Sequence, residues 1–199
     1  MNFLAHVYLS GDDNQLAIGN FIADFVKGGN IGDRYERRIV QGIELHRAID
    51  DFTDQHEIVH ASKNRLRPKY RHYSGVIVDM FYDHFLAKNW NSFHDSLLED
   101  FAQEFYSLIR RNKTLLPEEV QRMMPYMIRG NWFLNYGYKE GIHRALSGMS
   151  RRTTFDSKMD EAVVDLSRNY SLFENEFMEF FPILKKYSKD WIKERQGET

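Results

Sequence analysis

The most constraining stretch of the chain is the apolar run Gly-Val-Ile-Val-Asp-Met-Phe-Tyr-Asp-His-Phe-Leu-Ala at 75–87. It has no proline, its only glycine stands at the first position, and its apolar residues are spread around the whole circumference of a helix. Such a pattern predicts a helix buried on every side. A fold that buries one helix completely must surround it with others. Two carboxylates, Asp79 and Asp83, are placed inside this run, and their i, i+4 spacing puts both on one face. Buried charges are costly unless a cation or tight hydrogen bonds offset the lost hydration. Arg47 is one candidate cation for a buried ion pair, and a metal ion is another.

The rest of the chain supports an all-α reading. Only four prolines occur in 199 residues, at 68, 117, 125 and 182, and apolar spacing follows 3.6 rather than 2 almost throughout. Helices are expected over 13–28, 33–57, 74–89, 94–112, 118–130, 138–147 and 157–194, the last bent or broken near Pro182. Gly28, Gly29 and Gly32 separate the first two, and Pro117 before Glu118 and Glu119 marks a helix start. No repeat or linker divides the chain, so residues 1–199 are expected to form one helical-bundle domain.

Composition narrows the chemistry. The net charge of −2 offers no basic field for nucleic acid. No segment approaches the roughly 18–20 apolar residues of a membrane span, and the N-terminus lacks the basic start of a signal peptide. A soluble, cytoplasmic protein with neither nucleic-acid nor membrane partner is expected. The absence of cysteine excludes thiolate chemistry, so any metal must be held by His, Asp, Glu or water. Ser10, Ser74 and Ser147 lack a nucleophile-elbow context, and no glycine-rich phosphate loop is present.

Other segments carry ligand-type residues into expected core. On the second predicted helix, Ile39, Ile43, His46, Asp50 and Asp54 share one narrow sector, which makes His46 and Asp50 an i, i+4 pair at the edge of the apolar face. Asn20 and Asp24 form a similar pair within Gly-Asn-Phe-Ile-Ala-Asp-Phe (19–25), and His6 lies in the apolar N-terminal segment. Taken singly, His6 reads as a hydrogen-bonded core residue and Asp50 with Asp54 as a solvated face. Jointly, imidazole and several carboxylates without thiolate suit Mn2+, Mg2+, Fe2+ or Zn2+, with the harder Mn2+ and Mg2+ favoured by the carboxylate excess. Such a site activates water for phosphoester hydrolysis. Lys63, Arg65, Arg67, Lys69 and Arg71 make a basic run that is either a solvated loop or a docking surface for an acidic partner. Arg151 and Arg152, after a predicted helix, either hold a phosphate or sit in an exposed turn.

Several motifs, in order, resemble one family. Met-Asn-Phe-Leu-Ala-His (1–6), Gly-Asn-Phe-Ile-Ala-Asp-Phe-Val (19–26), Gly-Ile-Glu-Leu-His-Arg-Ala-Ile-Asp (42–50) with Thr53-Asp54, Asp-Met-Phe-Tyr-Asp-His-Phe-Leu (79–86) and Gly-Met-Ser-Arg-Arg (148–152) resemble the acyl carrier protein phosphodiesterases. The resemblance implies an atypical HD-phosphohydrolase-like all-α fold and a metal-dependent enzyme, with Mn2+ the expected ion and Mg2+ or Fe2+ as substitutes. Its implied reaction cleaves the phosphodiester joining 4′-phosphopantetheine to a serine of acyl carrier protein. It implies Asp24, His46, Asp50, Asp79 and Asp83 as metal-site and catalytic residues, with His6 a further ligand. The chain departs from the HD signature: His46 is followed by Arg47, and only the reversed Asp83-His84 occurs. Because the implied partner is acidic, Arg65, Arg67, Lys69, Arg151 and Arg152 become candidates for docking it, and Arg47 for contacting the scissile phosphate. Two other functions compete: an HD-type phosphohydrolase acting on a nucleotide or other small phosphoester, and a non-enzymatic helical interaction protein.

Overall fold

The computed structural model describes residues 1–195 and is all-α, with no strand among them. In chain order the helices are α1 (Phe3–Leu9), α2 (Asn14–Ile22), α3 (Arg37–Gln55), α4 (Glu57–Tyr70), α5 (Ser74–Lys88), α6 (Leu98–Arg111), α7 (Glu118–Arg129), α8 (Trp132–Asn135), α9 (Lys139–Ser150), α10 (Ala162–Arg168) and α11 (Tyr170–Arg195). The central helix is α5. From Ile77 to Ala87 every residue is buried except Asp79, which is half-buried. It packs against α1, α4, α9 and α11, so the all-round apolar run finds neighbours on all sides.

The short helices α1 and α8 were not expected, and three further departures have identifiable reasons. Residues 57–70 form α4 although the basic run masks its pattern; Val59, Ser62, Leu66 and Tyr70 are buried at helical spacing beneath the charges. The first predicted helix over 13–28 ends at Ile22, where a 3-10 turn, Ala23–Phe25, swings the chain away. The C-terminal helix breaks before Tyr170, not at Pro182, which lies inside α11. Pro182 and the residue one turn earlier, Met178, are both exposed. The carbonyl that proline leaves without a donor is therefore open to water, and the usual penalty is reduced. Residues 196–199, the end of the predicted single domain, lie outside the described residues.

The closest helix pairing is α2 on α3. The two backbones meet at Gly19 and Gly42. A Cβ on Gly19 would stand 2.0 Å from the Ile39 carbonyl oxygen, and one on Gly42 would stand 2.3 Å from that of Leu16. Only glycine permits this approach, and it places the end of α2 directly over His46.

Candidate metal and catalytic site

Three elements deliver four side chains to one point: His6 from α1, Asp24 from the 3-10 turn after α2, and His46 with Asp50 from α3. The His6 and His46 rings stack with centroids 3.9 Å apart and planes 14° from parallel. Asp50 spans their edges. Its Oδ1 lies 3.2 Å from Nε2 of His6, and its Oδ2 lies 3.2 Å from Nε2 of His46. Asp24 Oδ1 lies 3.1 Å from the same His46 nitrogen. One ligand atom from each of His6, His46 and Asp50 falls within 4.8 Å of the others. Both histidines are buried, whereas the side chains of Asp50 and Asp24 are 41% and 65% exposed. The point is thus dry on the imidazole side and open to solvent on the carboxylate side.

The far nitrogens of both rings are held by Asn20. Its Nδ2 donates to the His6 main-chain oxygen at 2.8 Å and to Ser10 Oγ at 3.0 Å. A carbonyl only accepts, so this bond fixes which way the amide faces. Asn20 Oδ1 is then the atom 2.8 Å from Nδ1 of His6, and that Nδ1 must carry the proton. The main-chain oxygen of Asn20 likewise accepts from Nδ1 of His46 at 2.8 Å. It comes from the last turn of α2, where carbonyls lack α-helical partners.

The two imidazoles differ in charge. Burial, reinforced by the facing His46, lowers the pKa of His6 to about 4, so its ring is neutral at physiological pH. With the proton on Nδ1, its Nε2 presents a bare lone pair toward Asp50 Oδ1, and none of the described residues hydrogen-bonds that buried atom. Burial also works against the charge on His46, but the hydrogen bonds to Asp24 and Asp50 prevail and raise its pKa to about 9. Although burial pushes Asp50 upward, its bond to His46 and the nearby Met1 ammonium hold it well below the usual carboxylate range. Asp24 is lowered chiefly by its bond to His46, against burial. A lone pair aimed at a carboxylate oxygen, beside a second imidazole and a second carboxylate, fits a divalent cation. The donor set of two nitrogens and several oxygens suits a divalent cation without selecting one.

The α5 acids stand differently. Asp79 Oδ1 lies 3.0 Å from the Met1 ammonium, which also lies 3.5 Å from Asp50 Oδ1. Asp79 is therefore tied to the edge of the cluster through that ammonium, while Arg47 is exposed on α3. Burial raises the Asp79 pKa against the pull of this neighbour. Asp83 is not brought to the cluster. Both its oxygens accept main-chain N–H groups at the start of α1, from Leu4 at 2.8 Å, Ala5 at 3.2 Å and Asn2 at 3.3 Å. It caps α1 from a neighbouring helix, where Asn2 makes no cap of its own. Burial nevertheless pushes its pKa up to about 7 against those donors.

The basic run is largely neutralised. Lys63 pairs with Asp54, Arg65 grips Glu176 with both terminal nitrogens at 2.9 and 2.6 Å, and Lys69 pairs with Glu161 and Asp165. Arg67 is exposed with only a long contact to Asn64. Arg151 and Arg152 are exposed in the turn after α9. Sequence reasoning noticed Asn20 only as a neighbour of Asp24. Its real partners lie 14 and 26 positions away, beyond any local spacing rule.

Fold and cluster together define an all-α protein with a helix-borne His–Asp pocket able to hold a cation. A family model described as acyl carrier protein phosphodiesterase matches residues 1–184, and the chain belongs to that family. Among curated relatives, an acyl carrier protein phosphodiesterase of Serratia proteamaculans is 32% identical over 191 residues, 96% of this chain and 98% of its own. One of Photorhabdus laumondii is 32% identical over 194 residues, and one of Yersinia pestis 30% over 190, with 96% and 95% of this chain and 98% of each relative covered. No solved structure matches the chain. No helix among the described residues is long and apolar enough to cross a membrane.

Proposed function

We propose that this protein is a metal-dependent phosphodiesterase that releases 4′-phosphopantetheine from the serine of acyl carrier protein, leaving the apo carrier. Family membership over nearly the whole chain supports the substrate. The single observation that carries the metal is the buried, unpartnered Nε2 of His6 aimed at Asp50. His6, His46 and Asp50 would hold the ion, with Asp24 completing the set at the solvent edge and Asp79 balancing charge beyond Asp50. Mn2+ is the ion we favour, with Mg2+ or Fe2+ as substitutes. When bound, such an ion neutralises a phosphoryl oxygen and lowers the pKa of a bound water.

The chain's own residues do the remaining work. The stacked, buried imidazoles wall off bulk water on one side, so an incoming phosphodiester enters from the exposed carboxylate side. Asp24, ionised and 65% exposed, is placed to accept a proton from an attacking water. Asp50 fixes the distance between the two rings by meeting each with one oxygen. Asp83 serves indirectly by anchoring the start of α1, which carries His6. Helix-borne His and Asp ligands are also the trait on which kinship to HD phosphohydrolases rests. Arg67, Arg151 and Arg152 remain the exposed cations offered for an acidic carrier, and Arg47 for the phosphate. We place the activity in the cytoplasm.

The test is incubation of holo acyl carrier protein with the purified protein and Mn2+, read by intact-mass spectrometry. Loss of the phosphopantetheine arm, blocked by chelator and restored by Mn2+, is expected. An untouched holo carrier alongside hydrolysis of nucleotides would reject the carrier in favour of a small phosphoester.

A further inference from the structure

We infer that Asn20 is the positioning residue of this centre, aiming the Nε2 atoms of both histidines at the point they share with Asp50 by holding both Nδ1 protons. The inference rests on the metal reading for its purpose, but its physical content can be tested without any metal. One residue reaches both rings by two routes, the side-chain amide to His6 and the main-chain carbonyl to His46, each at 2.8 Å. The amide itself cannot flip. Its Nδ2 is committed to the His6 main-chain oxygen and to Ser10 Oγ, and Ser10 Oγ in turn donates to the same His6 oxygen at 2.9 Å. Asn20 is wholly buried, so no water replaces the acceptor that Nδ1 of His6 would lose. Without it, the cheapest relocation of the single His6 proton is to Nε2, where Asp50 Oδ1 waits 3.2 Å away. That move would close a ring-to-carboxylate hydrogen bond and remove the lone pair a cation needs. A histidine whose other nitrogen donates to a carbonyl is the recurring support of metal-binding imidazole.

The decisive measurement is the side-chain 15N spectrum of the metal-free protein. Wild type should show His6 as the Nδ1–H tautomer. Asn20→Leu, similar in size but without an acceptor, should shift His6 to the Nε2–H tautomer. His46 should stay unchanged, because its partner is a main-chain oxygen that the substitution keeps. Asn20→Asp retains an acceptor and should restore the Nδ1–H form. Ser10→Ala removes a hydrogen bond from the same amide without touching either ring, and should leave both histidines as they are. Mn2+ affinity should fall about 10- to 100-fold in Asn20→Leu and stay near the wild-type value in Ser10→Ala. A wild-type His6 found as the Nε2–H tautomer overturns the proposal, as does an Asn20→Leu protein that keeps the Nδ1–H form. Should Asn20→Leu fail to fold, the wild-type and Asn20→Asp spectra still decide it. If the tautomers behave as stated but wild type binds no Mn2+, the metal reading falls and the positioning role stands.

Discussion

Cation binding at this site should release one proton, and only one, per ion near neutral pH. The sign follows from the four groups around the point. His46 is protonated below about 9, so an incoming ion must displace the Nε2 proton that Asp24 and Asp50 hold in place. His6 is already neutral above about 4. Asp24 and Asp50, both depressed below the ordinary carboxylate range, carry no proton to release. The apparent dissociation constant for Mn2+ should therefore rise about tenfold for each unit of pH below 9, or about 1.4 kcal/mol per unit. From about pH 8 to about pH 6 that amounts to about a hundredfold weakening. Two ordinary histidines would behave otherwise, with little effect above about pH 7 and a slope approaching two protons below about pH 6.

Free Mn2+ followed by electron paramagnetic resonance supplies the constants, and calorimetry in buffers of differing ionisation enthalpy counts the protons. Asp24→Asn should lower the His46 pKa and flatten the slope at the upper end of the range. A constant that is flat across this range in wild type, or a count of two protons, would refute the charge assignment. The same reasoning fixes the behaviour of the metal-free protein. A histidine raised from 6.5 to about 9 stabilises the fold fully below about 6.5, and that contribution fades as pH rises through 9. Added metal should restore stability most at the alkaline end.

Three further outcomes are expected. Gly42→Ala forces a methyl group to within 2.3 Å of the Leu16 carbonyl oxygen and should cost about 1–3 kcal/mol or more in urea unfolding; it should also weaken Mn2+ binding by moving the Asn20 carbonyl off His46, and unchanged stability would contradict the glycine contact. Asp50→Ala should lower turnover at least about 100-fold with the helical content kept, whereas Asp83→Ala, which strips three N–H groups of their acceptor, should lower stability by about 2–4 kcal/mol; circular dichroism melts and carrier-protein assays separate the two, and a reversed pattern would exchange their roles. Burial lowers the pKa of His84, whose Nδ1 donates to the Tyr136 carbonyl at 2.7 Å and whose Nε2 accepts from the Tyr170 hydroxyl at 2.9 Å; stability from this group is present above about 6.5 and lost as pH falls below it, so His84→Asn should show a shallower acid loss in urea titrations.

How much of this could be read beforehand depends on the distance over which each interaction acts. The burial of α5 was legible because it is a property of a continuous run. Meeting water almost nowhere leaves a mark along the run from Ile77 to Ala87, Asp79 alone being half-buried. The pairing of His46 with Asp50 was legible for a similar reason, since both stand on one helix four residues apart and need no other element to meet. The same rule misled at Asp79 and Asp83. Four residues also span about 6 Å of helix axis, enough for one carboxylate to face the cluster's edge while the other reaches the first turn of α1. Sharing a face of a helix is therefore weaker than sharing a ligand point. The basic run was unreadable from charge alone, because its partners Glu176, Glu161 and Asp165 arrive from more than 90 positions away. The parts that turn a histidine–carboxylate pair into a cation pocket are of this long-range kind. Asp24 comes to His46 because Gly19 and Gly42 let α2 lie against α3 closely enough for a main-chain carbonyl to touch an imidazole, and His6 arrives on α1, whose start Asp83 caps. The residues that define the chemistry are polar and easily noticed; those that bring them together are two glycines and an asparagine, whose importance lies in what they allow to approach.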